Sequence, residues 1–308
     1  MNAEARRPAA PTLTLGPVLF HWRPEALRDF YFRIADEAEV STVHVGEVVC
    51  SKRTPFFAPH LSEVVERLRA GGKQVVLSSL ALLMSEREIA TARELASADD
   101  GLMVEANDIA VASMLAGRPF VAGPLLNIYN EGTLACLEGM GAMRVCLPAE
   151  MSGAQIERLA AFAKAEIEVQ VFGRLPLAIS ARCYAARARN LSKDGCQYVC
   201  ADDPDGMDVL TLDERPFLAV NGTQTMSYHH LDLLAEMPHL AAAGVGRFRL
   251  WPHQADMVAV AALFRRVLAG AVPADEAGAE LARLCPNADF ANGYYHGQAG
   301  HLFVEDAL

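Results

Sequence analysis

The stretch from Gly101 to Leu147 decides how the chain folds: G-L-M-V-E-A-N-D-I-A-V-A-S-M-L-A-G-R-P-F-V-A-G-P-L-L-N-I-Y-N-E-G-T-L-A-C-L-E-G-M-G-A-M-R-V-C-L. Three short apolar runs, Gly101 to Glu105, Phe120 to Leu125 and Arg144 to Leu147, are separated by two segments with helical spacing, Asp108 to Ala116 and Glu131 to Met140. Strands joined through single helices pair in parallel by right-handed crossovers.

The same rhythm extends outward in both directions. Upstream lie Thr14 to Phe20, Thr42 to Val48 and Gln74 to Ser79, and downstream Ile167 to Phe172 and Arg247 to Trp251, which makes eight strands. A helix opens at Pro24 with Leu27, Tyr31 and Ile34 on one face. Ser85 with Glu88, and Ser152 with Gln155, match the capping box. Further helices are predicted near His60 to Ala70, His230 to Ala243 and Ala255 to Leu268. Eight β-α units close naturally into a (β/α)8 TIM-like barrel, here spanning residues 12–272. An open doubly wound sheet is the alternative, but P-V-L-F-H-W stands after the first strand where a dinucleotide fold would place its glycines. Residues 273–308 form a C-terminal tail ending in A-N-G-Y-Y-H-G-Q-A-G, with no predicted structure.

One connection breaks the rhythm. Residues 173–228, after the seventh strand, are far longer than an ordinary strand-to-helix loop, and long insertions in compact domains are usually functional. Two apolar stretches around Asp213 to Pro216 predict a small hairpin there. The insertion also holds Cys183, Cys196 and Cys200 in C-x12-C-x3-C spacing. With Cys50, past the second strand, they form a possible set of four thiolates on the face where barrel enzymes place their chemistry. Arg53, Arg182, Arg187, Arg189 and Lys193 would offset the charge. The spacing matches neither ferredoxin runs nor paired zinc knuckles, so an iron-sulfur cluster, zinc and unrelated thiols all stay open. Cys136, Cys146 and Cys285 read as structural.

A net charge of -11 argues against a nucleic-acid groove, and 52 % apolar residues against disorder. No run of eighteen apolar residues and no signal-like N-terminus is present, so no transmembrane segment is expected, and a cytoplasmic chain with reduced thiols is.

The segments V-G-E-V-V-C-S-K-R, G-R-L-P-L-A-I-S-A-R-C, the C-x12-C-x3-C set and F-L-A-V-N-G-T-Q-T resemble the UbiV branch of the collagenase-like peptidase U-32 family, from the first strand to Trp251. The resemblance implies a 4Fe-4S cluster held by Cys50, Cys183, Cys196 and Cys200. It implies a heterodimer with a UbiU-like protein, a UbiT-like lipid-binding accessory protein, and oxygen-independent hydroxylation of a ubiquinone precursor. The alternatives are a peptidase of the parent family or a noncatalytic scaffold, stapled by metal, that stabilises UbiU. Neither H-E-x-x-H nor G-x-S-x-G occurs.

Catalytic candidates are Glu47, as an acid or base or else a salt-bridged carboxylate; Glu105, with Asn107 and Asp108 at the fourth strand end; and Arg174, directly after the seventh strand. Arg174 and Arg182 would hold a carboxylate or balance cluster charge. Asn127 and Asn130 follow the fifth strand, and for Asp108 and Asn130 helix capping is the simpler role. Asn221 and Gln224 sit at a Gly-directed turn. His44, His229 and His230 lack a metal-ligand spacing, and the last two are predicted at the surface start of a helix.

Overall fold

The computed structural model describes residues 10–98 and 101–305. The first nine residues, on which the expectation of no export signal rests, and the last three of the tail lie outside the described residues. The barrel begins with β1 (Thr12–Leu15), β2 (Thr42–Val45), β3 (Gln74–Ser78), β4 (Met103–Ala106), β5 (Phe120–Ala122), β6 (Ala142–Cys146) and β7 (Glu166–Ile179). The insertion supplies β8 (Met207–Leu210), β9 (Pro216–Asn221) and β10 (Gln224–Asp232) before β11 (Arg247–Leu250) completes the ring. Consecutive barrel strands pair in parallel, and β11 pairs with both β1 and β7, so the eight-stranded sheet is closed.

The surrounding helices are α1 (Pro24–Glu37), α2 (Thr54–Ala70), α3 (Glu86–Ser97), α4 (Ile109–Met114), α5 (Glu131–Met140), α6 (Gly153–Phe162), α7 (Tyr184–Ala188) in the insertion, α8 (Met237–Ala242) and α9 (Met257–Leu268). Their starts follow local chemistry. The Ser85 hydroxyl accepts from the Glu88 amide, Asp108 from Ala110 and Asn130 from Thr133, each satisfying a free amide of the first turn. Ser152 N–H donates to the Gln155 side chain.

Several boundaries differ from the sequence reading. The first strand ends at Leu15, opposite the last residues of β11, so Gly16 to Phe20 is loop rather than strand. α2 starts at Thr54, with Pro55 in its first turn, instead of near His60. The helix predicted from His230 is a strand up to Asp232: His230, Leu231 and Asp232 pair with Arg174, Gly173 and Phe172. His230 is therefore buried and His229 half-buried, not surface residues. Burial of Leu231, Leu233 and Leu234 explains why an apolar run with helical spacing extends the sheet instead.

β7 does not stop where the insertion begins. It passes through Gly173, whose φ of +103° and close approach to Trp251 and His253 admit no side chain, and pairs antiparallel with β10. β8 and β9 form the expected hairpin, and β10 pairs antiparallel with β9. In the tail, α10 (Ala274–Leu284) packs on α9, and β12 (Phe290–Ala291) pairs with β10.

The barrel interior is not wholly aliphatic. Arg249 on β11, fully buried, pairs with Glu105 of β4 at 2.6 Å and Glu168 of β7 at 2.8 Å. His44 Nδ1 lies 3.3 Å from Glu105, and the Ser78 hydroxyl donates to it at 2.7 Å. Burial pushes the Glu105 carboxyl up, but Arg249 and His44 outweigh that and hold it well below the usual carboxylate range. The centre of the barrel is a closed ion network.

Asp232, at the end of β10, is nearly buried, and burial, with Glu236 nearby, pushes its carboxyl up to about 7. A folded-state pKa above the unfolded value of about 3.9 favours folding at low pH, and that contribution is lost as pH rises from about 4 through 7. Asp232→Asn removes this slope and is expected to be more stable than the parent at pH 8 by on the order of 3 kcal/mol, with little difference at pH 4. Urea midpoints at the two pH values check it.

Candidate functional site

Cys50 lies five residues past β2, where a loop turns into a 3-10 turn, Ser51–Arg53, that runs directly into α2. Glu47 shapes this loop: one carboxylate oxygen accepts from the amides of Val49 and Cys50 at 2.8 and 2.9 Å. Burial pushes the Glu47 carboxyl up, with Arg53 and the two amides opposing.

The other three thiols come from the insertion. Cys183 precedes α7, and Cys200 lies in a 3-10 turn, Val199–Asp202. Between Cys196 and Cys200, both Gln197 and Tyr198 adopt left-handed backbone, φ 50° and 56°. Two consecutive non-glycine residues there cost roughly 1–2 kcal/mol each, a strain that persists where the surroundings hold it and that clusters at functional sites. Tyr198 is held by edge-on packing against Phe56 of α2, with ring centres 4.7 Å apart.

Together Cys50, Cys183, Cys196 and Cys200 line one pocket of about 340 Å³ counting its open mouth, shared with Lys52, Arg53 and Lys193. Among the described residues no three His, Cys, Asp or Glu side chains form a group placed to hold a single ion. The thiols face a common space instead of converging on one point.

Three contacts sew the insertion to the Cys50 loop. Arg53, itself buried, donates to the Leu19 carbonyl and the Asn221 side chain, both at 2.8 Å. The Thr223 hydroxyl donates to the Val49 carbonyl at 2.9 Å, and the Lys52 ammonium to the Lys193 carbonyl at 2.7 Å. Gly222, at φ +64°, makes room: a methyl there would stand 2.6 Å from Arg53 Nη2. Gly222→Ala is therefore expected to cost about 1–3 kcal/mol of stability, measured by urea unfolding.

Burial pushes the Cys50 and Cys200 thiols up, and Arg53 opposes this at both. A cation beside the half-buried Cys50 and the buried Cys200 favours the thiolate, which is the metal-binding form. Arg53 Nε is buried without a hydrogen-bond partner among the described residues. Of the other cations named from the sequence, Lys193 lines the cavity, Arg189 pairs with Asp202 and Asp203, and Arg182 and Arg187 are exposed.

The chain matches the model of peptidase family U32 over residues 22–303. It belongs to that family. Among solved structures, this U32 chain is similar to dihydropteroate synthase from Thermus thermophilus, at 12 % identity and TM-score 0.42 over 84 % of this chain and 93 % of that one. It is also similar to the tryptophan synthase alpha-subunit from Pyrococcus furiosus, at 10 % identity and TM-score 0.38 over 89 % and 98 %.

Two catalytic candidates are corrected. Glu105 does not open onto the barrel mouth, since it is fully buried in the Arg249 network, where Asn107 also donates to it. Arg174 is not past the strand but inside the prolonged β7. Its guanidinium donates to the carbonyls of Ser227 and Tyr228, locking β7 to β10, and lies 3.7 Å from Asp208. His44 belongs to the same interior network, and Asn127 ends a 3-10 turn in left-handed backbone. Gln224 is buried beside Asn221, which ties it to the Arg53 contact. Cys146 and Cys285 are buried away from the cavity, and Cys136 is exposed. Lys52 and Thr223 were not legible as site residues: each acts through a backbone carbonyl contributed by a distant segment.

Proposed function

We propose that this U32-family chain is a UbiV-type iron-sulfur subunit of an oxygen-independent hydroxylase acting on the quinone ring in ubiquinone biosynthesis. The observation that carries the reading is that four thiols from two distant parts of the chain line one cavity backed by Arg53, Lys52 and Lys193. Four soft sulfur donors with adjacent cations suit a 4Fe-4S cluster, whose four corner irons spread the ligands apart. A lone zinc ion with bonds of about 2.3 Å would draw them to within about 4 Å of one another. The cluster, when bound, supplies one-electron redox chemistry or a structural staple. The protein's own part is to present Cys50 on the loop held by Glu47, Cys196 and Cys200 on the strained turn, and the buried charge of Arg53 beside two thiols.

The same reading assigns a UbiU-like partner in a heterodimer, a UbiT-like lipid-binding accessory protein and a cytoplasmic location. No helix among the described residues is long and apolar enough to cross a membrane. With Glu105 and Arg174 taken up by structural contacts, Glu47 is the one catalytic candidate left facing open space.

Anaerobic purification followed by iron and sulfide quantification tests the proposal. About four of each per chain is the expected result. Stoichiometric zinc without iron would point to the metal-stapled scaffold, and peptide cleavage by metal-free protein to the peptidase reading.

A further inference from the structure

The C-terminal tail, for which the sequence predicts no structure, builds a second pocket together with the end of β10 and the helix α10. It measures about 1670 Å³ counting its open mouth and shares no lining residue with the thiol pocket. Its lining carries three carboxylates, Asp232, Glu236 and Glu305, and no lysine or arginine among the described residues. Phe290, Phe303 and Val304 supply apolar wall. A concave site with apolar walls and a few convergent polar groups is the usual form of a small-molecule pocket.

Glu236 is only 3 % exposed, and its carboxylate is engaged through one oxygen. Asn292 Nδ2 donates to Oε1 at 3.0 Å, and His296 Nε2 lies 2.8 Å from the same oxygen. Oε2 is buried without a hydrogen-bond partner among the described residues. The tail fixes this arrangement, because Asn292 also donates to the Val304 carbonyl at 3.2 Å and accepts from the Val304 amide at 2.7 Å. Asp232, 8 % exposed, accepts from the Leu234 amide and has no ion-pair partner among the described residues. Burial first, and Glu236 second, make its ionisation costly. A buried acceptor left without a donor carries a desolvation cost that an added donor removes.

We infer that this pocket binds a small organic amine, its ammonium donating to Glu236 and Asp232 and its apolar body lying along Phe290, Phe303 and Val304. An ammonium has three donors and no acceptor, which is what two neighbouring carboxylates lack. An anion would meet like charge there, and a neutral hydroxyl would leave both charges uncompensated. A bare metal ion is the poorer fit, because among the described residues no three His, Cys, Asp or Glu side chains are placed to hold one. A larger head can meet each carboxylate separately. The inference is independent of the hydroxylase reading, since no residue of the thiol pocket takes part.

Equilibrium dialysis of phenethylamine against the anaerobically purified chain at pH 8, where the Asp232 carboxyl is ionised, tests this. Saturable one-to-one binding is expected, roughly tenfold or more weaker for phenethyl alcohol, which has the same body without the charge. Asp232→Asn keeps the shape of the side chain and is expected to weaken binding about tenfold or more. Gly278→Trp places a ring in the same pocket from α10, where no atom stands within 4 Å of the point at which a side chain would begin, and the same loss is expected. Circular dichroism and iron content, unchanged in both variants, separate lost binding from a lost fold. Unaltered binding in both variants, or equal binding of phenethyl alcohol, overturns the inference. So does tighter binding of Nα-acetyl-lysinamide than of phenethylamine, which would assign the pocket to a lysine of a protein partner. Displacement of the amine by calcium at equal concentration overturns it as well, in favour of a metal site.

Discussion

Arg249→Ala is expected to destabilise the chain by roughly 3–5 kcal/mol, because it leaves Glu105 and Glu168 as buried carboxylates without a cation. Against a total stability of about 5–15 kcal/mol, that is a large share. The contrast is Arg247→Ala, two residues earlier on the same strand, whose partner Glu166 is a third exposed. A pair partly open to solvent contributes less than a fully buried one, about 1 kcal/mol. Urea unfolding of the two variants separates the cases, and equal midpoints would show that the interior network does not hold the barrel. Removing all three charges together, Arg249→Met with Glu105→Gln and Glu168→Gln, should recover much of the loss, since no uncompensated charge remains.

Cys196→Ala is expected to reduce iron from about four to below one per chain, while Cys285→Ala leaves it near four. Cys196 lines the thiol cavity. Cys285 is buried elsewhere, its thiol pushed up to about 11 by burial, with Asp205 and Asp232 nearby. Iron content after anaerobic purification is the readout, with circular dichroism confirming that both variants fold. Equal iron in the two would overturn the ligand assignment.

The barrel was legible because each strand carries its own signal. Val43 and Val45, Val104, and Val121 with Ala122 are apolar runs buried on both faces, as parallel strands require, and each is followed by a helix with its own start signal. The strand from Gln224 to Asp232 was not legible past Thr225. Its pairing to β7 is antiparallel, irregular and set by a partner more than forty residues away, so its apolar residues mimic a helix. Glu105 and Arg174 misled for a related reason: a charged residue near a strand end looks open to the mouth until its partner on another strand is known.

The sequence by itself determined that eight strands alternate with helices, that an insertion follows the seventh, and that three cysteines are clustered in that insertion, since these depend on composition and order along the chain. Membership of family U32 rests on the sequence too. Tertiary structure alone decided that Cys50 meets Cys183, Cys196 and Cys200 at one cavity, through Arg53 to Asn221, Thr223 to Val49 and Lys52 to Lys193. It alone decided that Arg249 seals the barrel axis and that the C-terminal tail meets Asp232 and Glu236 at a second pocket. Each of these depends on side chains and carbonyls separated by up to 174 residues, and no local pattern encodes which distant group will satisfy a buried charge.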